Sequence, residues 1–250
     1  MEAAGDTAPL LRMVDAGKRR VQGDSVFELR VPDLGIPRGA LVAVVGDSGC
    51  GKSTLLDMLA LVMQPTEAAR FELCFEPGSR PLDAWDLWTR GAETTLAALR
   101  RDHLGYVLQT GGLLPFLTVA ENIRLPARVK GLGDVSAAME AVAARIGLGG
   151  CLSRMPASLS IGQRQRAAIL RALLHEPRLV LADEPTAAVD KARAVEIMAD
   201  LYALSRERSA SVVVVTHDVE LVRDIADLTY SFEMQRVSEQ ETRSVCRVVH

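Results

Sequence analysis

The chain has 250 residues, a formal net charge of −3, 48% hydrophobic residues and 24% charged residues. That length suits one large domain, or a domain with a subdomain, and supplies enough apolar material for a sizeable core. The charge balance argues against a general nucleic-acid binder and leaves any anionic ligand to a local site.

In chain order, the opening MEAAGDTAPLLRMVDAGKRR places basic residues after apolar ones, which is not the layout of a signal peptide. No apolar run approaches the roughly 20 residues that span a bilayer. Work at a membrane would therefore need another subunit to supply the span. Residues 41–45, LVAVV, form a continuous apolar run, as do LVLA ending at 182 and SVVVVT at 211–216. Such runs read as strands buried on both faces. Helical patterns lie between them at 52–63, 163–174 and 192–208. Strands alternating with helices predict a parallel sheet with helices on its faces.

Residues 67–100 break that rhythm. ARFELCFE at 69–76 alternates like an antiparallel strand, and PGSRP follows as a turn. Residues 115–158 read as mostly helical, with glycine and proline breaks, and the last 20 residues can hold one or two short strands. Cys50, Cys74, Cys151 and Cys246 form no CxxC pair, which argues against zinc or a disulfide framework. Reduced thiols in a cytosolic protein are the plain reading.

The strongest local signal is VVGDSGCGKST. A buried strand ends at Val45, and Gly46, Asp47, Ser48, Gly49, Cys50, Gly51, Lys52, Ser53 and Thr54 fit GxxxxGK[ST] at the start of a helix. The glycines let successive backbone N–H groups curl toward one anion, and the helix N-terminus adds positive potential. Lys52 would reach the β- and γ-phosphates, and the Ser53 hydroxyl would bind Mg²⁺. A second strand ends in Asp183 and Glu184. Asp183 suits the Mg²⁺ shell and Glu184 suits a general base facing the attacking water. A third ends at His217, which can donate to a γ-phosphate or orient the water and base. Gln109 ends one more apolar stretch and can touch Mg²⁺ or water; alone it would mean little.

Together these motifs make the chain resemble the ATP-binding-cassette ATPases, the nucleotide-binding subunits of ABC transporters. The resemblance covers nearly all of residues 11–235. GDSGCGKST matches the Walker A loop, Gln109 the Q-loop glutamine, LSIGQRQR at 159–166 the signature, and LVLADEP Walker B. AAVD, ending at Asp190, matches the D-loop, and His217 the switch histidine. The fold this implies is α/β. A P-loop NTPase core carries a mostly parallel sheet, with a small antiparallel β subdomain and a helical signature subdomain at roughly 113–175. All of it lies within one domain spanning 1–250, with 236–250 peripheral.

In that family the signature of one subunit closes over ATP held by the Walker A loop of another. Ser160 can cap the helix that begins near Gly162 and turn its hydroxyl to the γ-phosphate, beside the N–H groups of Gly162 and Gln163. The implied partners are a second cassette, as a head-to-tail homodimer, and integral membrane subunits docking near residues 109–126. The implied place is the cytoplasmic face of the inner or plasma membrane, with no nucleic acid bound. Two departures stand out. The family writes LSGGQ where this chain has Ile161; a negative φ with the side chain turned away from ATP would make that harmless, and filling an apolar gap is the other reading. The family's adenine-stacking aromatic falls on Arg20, in KRRVQGD, where a guanidinium can stack on a base or simply be solvated.

GYVLQTGGLLPFLTVAENIRLPARVKG resembles the branch with the lipoprotein-releasing and macrolide-exporter ATPases. The resemblance weakens at 67–98, where Trp85 and Trp88 can form a partner patch or pack beneath the subdomain. The function implied is ATP hydrolysis that drives membrane subunits in export or mechanical transmission. The alternative is a regulatory cassette that signals through a membrane partner without moving cargo.

Overall fold

The computed structural model describes residues 8–249. In chain order the elements are β1 Leu11–Gln22, β2 Ser25–Ile36, β3 Leu41–Val45, α1 Lys52–Leu59, β4 Arg70–Leu73 and β5 Leu82–Asp83. Then come α2 Ala84–Thr89, α3 Glu93–His103, β6 Leu104–Val107, α4 Val119–Lys130, α5 Ser136–Arg145 and α6 Ile161–Leu174. The last are β7 Leu179–Asp183, α7 Lys191–Glu207, β8 Ser211–Thr216, β9 Leu228–Arg236 and β10 Glu241–Val248. They build an α/β fold on one mixed sheet, ordered β5-β4-β1-β2-β10-β9-β3-β8-β7-β6.

The predicted buried runs are β3, β7 and β8. They pair in parallel with one another, with β6 at the far edge and β9 beside β3. Their unbroken hydrophobicity has a direct cause. In β3, Leu41, Ala43 and Val45 pack with α6 and α7 residues on one face, while Val42 and Val44 pack with α1 and β2 residues on the other. A strand with two dry faces has no polar positions to spare.

The antiparallel strands do not form a separate sheet. β1 pairs with β2 and β4, β4 pairs with β5, and β10 joins this part to the parallel core by lying between β2 and β9. This corrects the expectation for 236–250: β10 is interior, and Ser244, Val245 and Cys246 are buried. The reason is long-range pairing, which a local reading of the last residues could not supply. β9 and β10 are also full strands of nine and eight residues rather than short ones. Helix α1 stops at Leu59, short of the predicted 63. Leu61 takes a left-handed φ of 56°, and the Asp57 carbonyl accepts from the N–H groups of Val62 and Met63, closing the helix end.

Trp85 and Trp88 are half-buried and pack against the core on the α1 side of the sheet, so packing rather than display accounts for them. All four cysteines are unbridged and buried.

Candidate nucleotide site

The register of the parallel strands levels their carboxyl ends. Val45 pairs with Thr216, Asp183 with Val215, and Val107 with Ala182. Each strand therefore delivers its next residues to one edge, where ligands gather in open α/β sheets. A cavity of about 930 Å³ opens there, lined by Ser48, Gly49, Gly51, Lys52, Ser53, Thr54, Gln109, Asp183 and Glu184.

Gly51 precedes α1 with φ 105°, a conformation that L side chains avoid, and Lys52 opens the helix behind it. Lys52 is 6% exposed, and its ammonium donates to the Gly46 and Asp47 carbonyls at 2.7 and 2.8 Å. It also lies 3.8 Å from Glu184 Oε1. Cys50 contributes backbone to the loop; its side chain is buried against Gly46, and its carbonyl accepts from the Ser244 hydroxyl at 2.6 Å.

Glu184 has a left-handed φ of 42°, and its N–H donates to the Val215 carbonyl at 2.9 Å. Such a conformation costs a non-glycine residue about 1–3 kcal/mol and persists where the surroundings dictate it. Here it turns the chain sharply at the strand end and swings the carboxylate beside His217, whose Nδ1 is 3.2 Å from Glu184 Oε2. The Asp183 carboxyl is pushed above its ordinary value by burial first, then by Glu184 and Asp57; Lys52 and Ser53 oppose this. A carboxylate crowded by other carboxylates favours a cation beside it. Among the described residues no group of three or more His, Cys, Asp or Glu could hold a metal alone. The oxygen donors present, the Asp183 carboxyl and the Ser53 hydroxyl bonded to it, fit Mg²⁺, which binds through one or two protein oxygens and completes its shell with phosphate oxygens and water.

Arg20 stands on β1 directly opposite Phe27 on β2, and both line the same cavity. Sequence reasoning missed the other residues there: Ser25, Val26, Met234, Glu239, Gln240 and Thr242. The last four come from the β9–β10 hairpin, and their only signal was a pairing across the whole chain, Val26 with Glu241.

Ser160, Gly162, Gln163 and Asp190 do not line this cavity. Ser160 is the cap of α6, which begins at Ile161. Its hydroxyl accepts from Gln163 N at 3.2 Å, and the Gln163 side chain accepts from Ser160 N at 3.0 Å. This reciprocal pair holds the first turn rigid. Ile161 is in the helix, absent from the positive-φ residues, and 44% exposed, so it needs no glycine conformation and fills no core gap. Asp190 caps α7 by accepting from Arg193 N at 3.1 Å.

Residues 29–187 match the ABC transporter family model. The chain is 41% identical over 218 residues to a macrolide export ATP-binding/permease protein of Aeromonas hydrophila, covering 85% of this chain and 32% of that protein. It is 35% identical over 237 residues to a probable syringafactin export ATP-binding/permease protein of Pseudomonas syringae, covering 94% and 34%. The chain thus spans about a third of the length of these curated relatives. Among solved structures it resembles the dimeric ATP-binding cassette MJ0796 bound to ADP and Pi. The TM-score is 0.72 and the identity 31%, over 88% of this chain and 93% of that one. A second dimeric structure of that cassette gives a TM-score of 0.74 at 32% identity, with the same coverage. With the P-loop, the signature and this fold in one chain, it is an ATP-binding cassette of the ABC transporter family.

Proposed function

We propose that this cassette binds and hydrolyses Mg-ATP at a site completed by a second cassette, and that hydrolysis powers membrane subunits in export. The observation that carries this reading is the cavity that gathers Lys52, Ser53, Gln109, Asp183 and Glu184, with His217 held against Glu184. The phosphates lie on the loop 46–51 and the N-terminus of α1, where backbone N–H groups and Lys52 neutralise them. Ser53, Asp183 and Gln109 are the residues that would hold Mg²⁺, which supplies charge neutralisation on the phosphate oxygens. Glu184 takes a proton from water as the water oxygen bonds to the γ-phosphorus and the bond to the β–γ bridging oxygen breaks. ADP leaves with that bond's electron pair, and His217 orients Glu184 or donates to the γ-phosphate. Arg20, which lines the same cavity, would stack on the base.

Ser160, Gly162, Gln163 and Asp190 lie outside the lining of this cavity, which supports a composite site: a second copy, turned head to tail, brings its α6 N-terminus to the γ-phosphate. An apolar groove of about 660 Å³, with Val62, Leu108, Leu114, Leu125, Pro126 and Val129 in its wall, lies beside residues 109–126 and suits a docked segment of a membrane subunit. No helix of the described residues is long and apolar enough to cross a membrane. The cassette would then work at the cytoplasmic face through that partner.

The test is the solution mass of the Glu184→Gln variant with and without Mg-ATP. The expected result is a doubling of mass on Mg-ATP, lost when Lys52→Ala is added. A monomer that binds no ATP sinks the reading.

A further inference from the structure

Behind Gln109 the chain makes a tight turn in which Gly111 N donates to the Leu108 carbonyl at 2.8 Å. Gly111 and Gly112 both take left-handed φ values, 75° and 56°. Such a pair turns its carbonyls in a direction that most residues cannot reach. Both carbonyls are taken by one side chain. Arg171 Nη1 donates to Gly112 O at 2.7 Å and Nη2 to Gly111 O at 2.9 Å. Arg171 belongs to α6, the helix that Ser160 caps at its other end. Eleven residues separate the two, or about 16 Å of helix. Among the described residues no carboxylate forms a salt bridge with Arg171, and burial lowers its pKa. Its charge is therefore spent on these two carbonyls.

A second side chain of α6 faces the same turn. Gln165 is 4% exposed, its Nε2 has no hydrogen-bond partner, and a Cβ on Gly111 would lie 3.5 Å from its Oε1. A buried amide donor without an acceptor is costly, about 1–3 kcal/mol. The present arrangement gives both Arg171 Nη atoms an acceptor and leaves Gln165 Nε2 without one.

We infer that Arg171 is a positioning residue that joins the Q-loop to the signature helix, so that movement of Gln109 on nucleotide binding is passed to Ser160 at the far end of α6. This rests on the proposed engagement of Gln109 with bound Mg-ATP. The planar guanidinium fork fixes two adjacent peptide planes against the helix at once, which the point charge of a lysine cannot do. The α-helix between Arg171 and Ser160 is stiff and buried along its inner face, so a displacement at one end is not absorbed within it.

The experiment is hydrogen exchange of the segment 160–168 with and without Mg-ATP, in the full chain carrying Glu184→Gln and diluted to keep it monomeric. Dissociation constants for ATP are measured on the same samples, and kcat on the chains with Glu184 intact. In the parent, ATP should slow exchange in 160–168. Arg171→Met should abolish that response and lower kcat by about tenfold, while the ATP dissociation constant stays near the parent's. Arg171→Lys should restore part of both. A merely structural role would lower Tm without uncoupling exchange at 160–168 from ATP binding. A folded Arg171→Met with the parent's exchange response and kcat overturns the inference; if that variant does not fold, Arg171→Lys with both at parental values overturns it. A parent whose ATP binding is absent, or unaffected by Lys52→Ala, overturns the proposed function instead.

Discussion

His217 and Glu184 meet at the ends of two neighbouring strands, Nδ1 to Oε2 at 3.2 Å, because β7 and β8 run in parallel with Asp183 opposite Val215. His217 is widely exposed while Glu184 is mostly covered. In the proposed mechanism the histidine is therefore an adjustable strut on a carboxylate that the backbone already places. His217→Ala should lower kcat by about a hundredfold with little change in ATP affinity, and Glu184→Gln by more. Adding His217→Ala to Glu184→Gln should cost little further, since the two act as a unit. Steady-state phosphate release across the four proteins checks this; fully additive losses would show that His217 works independently of Glu184.

Ile161 occupies the first turn of α6 with ordinary helical geometry and an exposed side chain. Glycine there relieves no strain and loosens the helix start. Ile161→Gly should leave the ATPase rate close to parental and lower stability by up to about 1 kcal/mol. A severalfold gain in ATPase rate would mean that the isoleucine restrains the composite site.

Gly105 shows where β6 and α6 touch most closely. A Cβ at this position would lie 2.2 Å from the Ala172 carbonyl oxygen, a backbone atom that cannot swing aside. Gly105→Ala must push α6 away from the sheet and should cost about 2 kcal/mol or more, a fall in Tm of roughly 4 °C or more. Thermal unfolding reads the cost directly. Because Arg171 is the next residue toward the signature on α6, the same variant should also disturb its bonds to Gly111 and Gly112, visible as faster exchange in 108–112.

His175 caps α6 and is 2% exposed, with Nε2 2.9 Å from the Leu104 carbonyl and Nδ1 without a partner. Burial holds its pKa below the ordinary value, and Lys130 adds to this; the Leu104 carbonyl opposes it. His103, stacked on Phe75 at 4.0 Å, is lowered by burial in the same way. A histidine depressed in the folded state contributes stability that is present above the unfolded value, near 6.5, and is lost as pH falls from there through the folded value. Denaturant unfolding should therefore show stability dropping on acidification from pH 7, and His175→Gln should flatten that slope in part, with His103 supplying the rest. An unchanged slope in His175→Gln would show that carboxylates alone govern the acid limb.

Much of this protein was legible without coordinates. The P-loop, Walker B and switch motifs are local strings whose chemistry depends on neighbours a few residues away, and the runs that became β3, β7 and β8 are apolar at every position because both faces of each strand are dry. Ser160 could be read as a helix cap because capping, too, is local. What the tertiary structure decided was everything set by pairings of long sequence separation. It placed β10 between β2 and β9 and so brought Met234, Glu239, Gln240 and Thr242 to the nucleotide cavity. It turned Arg171 onto the carbonyls of Gly111 and Gly112, a contact across 60 residues that no local pattern encodes. Backbone hydrogen bonding in strands is the same for every sequence, so which strands pair is settled by the collective burial of their side chains, and only the folded chain evaluates that sum.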